Sequence, residues 1–136
     1  MCFKLLFSIL AAANFFLFAV SSSASATPQD CRDLHDAAFF DEPAEVRSLL
    51  QKGVDPDCRN ETGQTPLFTA VEGGSLSSVG HLLLYNVKIN VRDEFGETPL
   101  TRARSKSEFF KRPGGERYLL IYKGVARLIE LAGGIE

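Results

Sequence analysis

The phrase GQTPLFTAV at residues 63–71 returns as GETPLTRAR at residues 96–104, with Gly63, Thr65, Pro66, Leu67 and Ala70 each matched 33 positions later. Thirty-three residues before the first copy, DCRDLHDAA holds Leu34 and Ala37 in the corresponding places. A phrase restated at a fixed interval of this length marks one supersecondary unit built several times. A single such unit cannot bury its own apolar side, so each copy is the neighbour that the previous copy needs. That requirement excludes most other architectures before any single residue is considered.

Each copy reads mechanically. Pro66 and Pro99 suit the first turn of a helix, where a missing N–H does no harm, and Thr65 and Thr98 stand where a cap belongs. Leu67, Ala70 and Val71 fall at i, i+3 and i+4, an apolar stripe whose small Ala lets a neighbour approach. Gly73-Gly74-Ser75 stops this helix and opens a second, expected to run to about Tyr85 with Val79, Leu82 and Leu83 inward. Asp41-Glu42-Pro43 plays that part in the first unit, and Gly53 ends its second helix. Gly63 and Gly96, in CRNETG and VRDEFG, fit tight hairpin turns between units.

The chain resembles the ankyrin repeat, whose mark is T-P-L-x-x-A at this interval. Thr65-Pro66-Leu67 with Ala70, Thr98-Pro99-Leu100 with Ala103, and Leu34-His35 with Ala37 and Ala38 carry the resemblance. It extends to Leu49-Leu50, which recur as Leu82-Leu83, and to Asp57, which recurs as Asn90. The fold it implies is an all-α repeat, an ankyrin-type solenoid of about three helix-turn-helix units linked by β-hairpin fingers. The repeat domain is expected over residues 27–136, with units at about 31–57, 58–90 and 91–136. The third unit departs from the pattern. Val46, Leu49 and Leu50 align with Val125, Leu128 and Ile129 at an offset of 79 rather than 66, so 13 extra residues lie near 106–118. Lengthened helices over about 99–111 and 116–132, turning at Pro113-Gly114-Gly115, are expected, with Phe109 and Phe110 near Tyr118 and Tyr122. A disordered insertion is the alternative.

Residues 1–26 read as a secretory signal: Lys4, an apolar run from Leu5 to Val20, then a Ser-rich stretch ending in Ala24-Ser25-Ala26. An uncleaved membrane anchor is the competing reading, but the run is shorter than the roughly 20 residues a span needs and contains Asn14. Export implies a periplasmic or secreted location for the remaining 110 residues. Without the leader, 14 basic face 17 acidic side chains, a net of −3, which argues against a general nucleic-acid binder. The charge is segregated, with a net of −7 over residues 27–99 and +6 over 100–127. Such a dipole orients an approaching partner.

Cys31 and Cys58 remain after the leader is removed, and an even pair in an exported chain reads as a disulfide. In a stacked ankyrin array the strand entering one repeat lies beside the strand leaving it, which would make the two cysteines near neighbours. Bridging them closes a loop of about 28 residues, worth roughly 3–4 kcal/mol by chain entropy.

No catalytic constellation emerges. The two histidines have no nucleophile–base or metal-site partners in the sequence. His35 sits where ankyrin repeats carry the T-P-L-H histidine, whose ring ties the turn's backbone together. His81 reads as solvent-facing. Asp30, Asp33 and Asp36 read as solvated helix charge rather than a calcium site, and Asn60-Glu61-Thr62 is a glycosylation sequon at a hairpin tip. The expectation is therefore a non-enzyme, without cofactor or metal, that acts as a monomer on another protein. The resemblance implies that fingers and first helices form a concave partner surface. The family's variable positions fall on Glu61, Thr62, Gln64 and Glu72, and on Glu94, Phe95, Glu97 and Ser105. Asp36, Thr69 and Arg102 form a polar column, and Phe39 and Phe40 end the first helix. Phe95 at a finger tip has no core to enter and reads as an aromatic anchor, and the acidic fingers favour a basic patch on the partner. Exported ankyrin proteins include toxin-neutralising immunity proteins and helpers of periplasmic enzymes. An envelope role, with Lys111, Arg112 and Arg117 meeting anionic lipid, is the alternative.

Overall fold

The computed structural model describes residues 26–136, so the expected leader lies outside the described residues except for its last position. Among the described residues there are six α-helices and no strand: α1 Pro28–Phe39, α2 Pro43–Lys52, α3 Pro66–Gly73, α4 Leu76–Leu83, α5 Pro99–Phe109 and α6 Glu116–Leu131. They form three pairs, α1/α2, α3/α4 and α5/α6. The first helices α1, α3 and α5 stack in one layer and the second helices α2, α4 and α6 in another. None of the described helices is long and apolar enough to cross a membrane.

The core lies between the two layers. Leu34, Val46, Leu67, Phe68, Val71, Val79, Leu82, Val125 and Ile129 have no exposed surface. Burying a side chain of this size contributes about 1.5–3 kcal/mol, which makes the seam the main source of stability. Ala37, Ala38, Ala70 and Ala103 are also buried, and their small volume lets α1, α3 and α5 lie close together. At Gly73 a Cβ would run into the Phe39 carbonyl, so only glycine lets the α3–α4 turn touch the end of α1. Ser75 Oγ donates to that same carbonyl over 2.6 Å.

Repetition extends to backbone shape where the residues differ. Asp41 (φ 57°) and Gly74 (φ 68°), 33 residues apart, are both left-handed, as are Gly53 (φ 97°) and Asn86 (φ 55°). Asn and Asp are the non-glycine residues that best tolerate this region. Capping varies. Thr27 and Asp30 form a reciprocal capping box on α1. Thr98 Oγ1 accepts from Thr101 N at 3.2 Å, whereas the buried Thr65 hydroxyl makes no cap bond and has no partner. Thr65 thus departs from the expected role, since α3 is held by packing on both sides.

Three further expectations need correction. The β-hairpin fingers carry no ladder. Each is a tight turn, closed in the second unit by Asn60 N to Gln64 O at 3.0 Å and in the third by Asp93 N to Glu97 O at 3.1 Å. Side chains satisfy the remaining backbone groups. Asn60 Oδ1 accepts from Thr62 N and Gln64 N, and Asp93 Oδ1 accepts from Phe95 N and Glu97 N. Arg59 donates to Gly63 O and Arg92 to Gly96 O. α4 ends at Leu83 rather than about Tyr85, and α5 ends at Phe109 rather than Lys111. Phe110 leaves the helix to stack on Tyr118 and Tyr122, with ring centroids 4.9 and 5.5 Å away. Phe109 joins this cluster through Phe110, which it meets edge to face with ring centroids 5.1 Å apart, while 53% of its surface stays exposed beneath Arg112.

The seam can be tested by contrast. Leu67→Ala, fully buried, is expected to cost about 2–5 kcal/mol in urea unfolding. Leu84→Ala, 80% exposed, is expected to stay within about 0.5 kcal/mol of the unmodified protein. Equal losses at the two sites would contradict the two-layer core.

Candidate functional site

The third finger, α5 and the α5–α6 turn enclose a groove of about 630 Å³, lined by Phe95, Glu97, Arg102, Ser105, Lys106, Phe109 and Phe110. Its position follows from the lengthened third pair: α5 has 11 residues and α6 has 16, against 8 each in α3 and α4. The extra turns carry Lys106, Phe109 and Phe110 beyond the edge of the second unit, opposite Phe95. Phe95 is 75% exposed, held out by the Asp93-centred turn beneath it.

The groove's polar wall is a closed set of charges. Arg102 pairs with Glu72, Glu97 and Asp93, and Lys106 Nζ lies 3.1 Å from Glu72. The Asp93 side chain has no exposed surface, so its charge has to be compensated by Arg102 and by the two finger amides. The Arg102 guanidinium also lies 5.4 Å from the Phe68 ring centroid, close enough for a cation–π contact. Glu72, Glu97 and Arg102, expected as free partner contacts, are therefore committed to one another. Any ligand in the groove meets a structured ionic wall facing three aromatic rings.

The other expected residues divide in two. Asp36, Glu61, Thr62 and Glu94 are exposed, while Gln64 and Thr69 are half-buried. Gln64 Oε1 accepts from Asn60 Nδ2 at 3.3 Å, and the Thr69 hydroxyl lies 2.6 Å from His35 Nδ1. Only Asp36 of the polar column is thus fully open. Phe39 and Phe40 meet edge to face at 5.1 Å but stay 42% and 68% exposed at the far end of α1. They are not part of the groove. His81 is half-buried rather than solvent-facing, its Nδ1 3.0 Å from the Ser77 carbonyl. Asp30 is 5% exposed, and its hydrogen bond with Lys52, aided by Thr27, holds its carboxyl well below the usual range.

At the other end of the molecule the structure joins Cys31 to Cys58, with Cα atoms 6.2 Å apart. His35 lies beside them. Its Nε2 donates to the Cys58 carbonyl at 3.2 Å, tying α1 to the first finger. Ligand atoms of Cys31, His35 and Cys58 lie within 4.8 Å of one another. The sequence pairs the two cysteines but does not bring His35 to them, although Cys31 and His35 stand at i and i+4 on one helix face. Phe109, Phe110 and Lys106 were also missed as groove residues. Their signal was the aromatic insertion itself.

Comparison with known proteins gives the family. The family model described as ankyrin repeats in three copies matches residues 34–122. The chain belongs to the ankyrin-repeat family. It is 39% identical over 72 residues to the Neurogenic locus Notch protein of Drosophila melanogaster, covering 52% of this chain and 3% of that protein. It is 45% identical over 49 residues to NF-kappa-B inhibitor alpha of Sus scrofa, covering 36% and 16%. It is also 42% identical over 64 residues to 26S proteasome non-ATPase regulatory subunit 10 of Dictyostelium discoideum, covering 45% and 27%. The chain thus spans less than a third of the length of each of these relatives. The repeats are a protein-binding module, and the match indicates no enzymatic family.

Burial lowers the His35 pKa below its ordinary value of 6.5, against the opposing effects of the Cys58 carbonyl and Asp36. As pH falls the unfolded chain takes up this proton first. His35's stabilising effect is therefore complete above about pH 6.5 and is lost as pH drops through the folded value. Urea midpoints are expected to decline between about pH 7 and 5, with a shallower decline in His35→Asn. Parallel pH profiles for the two proteins would remove His35 as the cause.

Proposed function

We propose that the protein is an exported binding module, periplasmic or secreted, that seats one partner protein in the groove beside Phe95 and thereby neutralises or supports it. The observation that carries this reading is the convergence of Phe95, Phe109 and Phe110 on one open groove beside a fixed ionic wall. A few exposed aromatic anchors in a shaped groove are what dominate affinity at protein interfaces. Phe95 and Phe109 keep most of their surface in water in the free protein, which leaves apolar area for a partner to cover.

Two relatives carry names that describe an inhibitor and a regulatory subunit, which supports action through binding rather than chemistry. The acidic exposed tips Glu61 and Glu94 favour a partner whose rim is basic, and they act mainly on the rate of encounter. A toxin-neutralising inhibitor and a helper of a periplasmic enzyme both fit this surface. The runner-up is an envelope role, favoured by the exposed Lys111, Arg112 and Arg117 at the α5–α6 turn with Phe109 beneath Arg112.

Recovery of prey from periplasmic extract separates the readings. Phe95→Ala and Phe109→Ala are each expected to reduce recovery of one discrete prey by roughly tenfold or more. Glu94→Lys is expected to lower it less and to flatten its salt dependence. Equal recovery by all variants would discredit the groove. Pelleting with anionic vesicles that is abolished when Lys111, Arg112 and Arg117 are changed to Glu would favour the envelope reading.

A further inference from the structure

We propose that Cys31, Cys58 and His35 form a redox-gated binding site for a thiophilic divalent cation, Zn2+, available when the disulfide is reduced and closed when it forms. It rests on the juxtaposition of the three side chains at the α1–first finger junction, not on the groove. Ligand atoms of all three lie within 4.8 Å of one another. A tetrahedral Zn2+ holds thiolates at about 2.3 Å and imidazole nitrogen at about 2.0 Å, with its two sulfurs roughly 3.8 Å apart. The Cα atoms, 6.2 Å apart, allow the sulfurs to separate that far by side-chain rotation.

The chemistry balances. A dithiol reductant delivers two electrons and two protons to the disulfide and leaves as its own disulfide, giving two thiols. Zn2+ then displaces both thiol protons and binds the two thiolates. His35 supplies the ring nitrogen facing Cys58, Nε2. Its proton moves to Nδ1, which turns from acceptor to donor toward the Thr69 hydroxyl 2.6 Å away. Thr69 Oγ1 lies 3.2 Å from the Thr65 carbonyl, so it can pass its own hydrogen there. The ring thus keeps a partner in both states, the outer-shell arrangement that orients a ligating histidine.

Access is present as well. Cys31 and Cys58 are half-buried, and Cys31 and His35 line a cavity of about 560 Å³ with Pro28, Arg59 and Asn60. A fourth, solvent ligand can enter from this side.

The test uses the purified protein, with Zn2+ alone as the probe. The protein is reduced anaerobically with a phosphine, titrated with Zn2+ against a chromophoric chelator, and examined with Co2+ for a sulfur-to-metal charge-transfer band. One metal per chain is expected in the reduced protein and none in the disulfide form. Cys31→Ser, Cys58→Ser and His35→Asn are each expected to weaken binding at least tenfold. Helix content is followed by circular dichroism in the same samples. If the reduced chain unfolds, recovery of helix at one equivalent of Zn2+ supports the site, and failure to recover overturns it. A folded reduced protein that takes up no Zn2+ overturns it too. So does affinity that is unchanged in the serine variants or in His35→Asn.

Discussion

The structure depends on the burial of α3 between its neighbours. Leu67, Phe68, Ala70 and Val71 have no exposed surface, in a helix of only eight residues. A helix that short is unstable alone in water, because nucleation costs more than its few hydrogen bonds return. α3 exists because α1 and α5 cover its flanks and α4 its remaining apolar side. The outer pairs depend on it in turn, each having one open flank. Stability here is a property of the stack and not of any unit.

The fingers show the same economy with different bonds. Arg59 and Arg92 bind carbonyls within their own turns, while Asn60 and Asp93 collect the amides two and four residues on. Arg59 also reaches the Arg92 carbonyl, and Glu94 N donates to Thr62 O, so one finger braces the next. Asn60 is therefore first a turn-former, whatever its sequon allows. The third unit breaks the repetition, and its departures build the groove. Phe110 stacks inward on two tyrosines, Phe109 faces out, and Tyr122 donates to the Glu72 carbonyl at 2.9 Å. Glu72 is thus fixed through its backbone by α6 and through its side chain by Arg102 and Lys106.

Much of this was legible in single residues. Pro66 and Pro99 stand at the first positions of α3 and α5, Gly74 ends α3 in the left-handed region, and His35 ties α1 to the finger as the resemblance implied. Other residues could not be read. Thr65 and Thr98 both precede Pro-Leu in the repeated phrase, yet of the two only Thr98 caps its helix. Thr98 also donates to the Ile135 carbonyl, a contact with the segment after α6 that no local pattern encodes. Arg102 looked like an open polar position, because its three carboxylate partners are 30, 9 and 5 residues away.

The sequence by itself determined the period, the proline-marked starts of α2, α3 and α5 and the inward stripe, since these follow from steric and burial rules acting within one unit; α1 instead starts at Pro28, ahead of the first unit expected from about residue 31. Tertiary structure alone decided which polar side chains are free and which are spent on each other. It also decided that Phe95 faces Phe109 across a groove, and that the His35 ring lies beside the cysteine pair that the sequence already joins. The reason is range. Propensity and periodicity act over a few residues, whereas charge pairing and ligand geometry depend on distances set only when separate units stack.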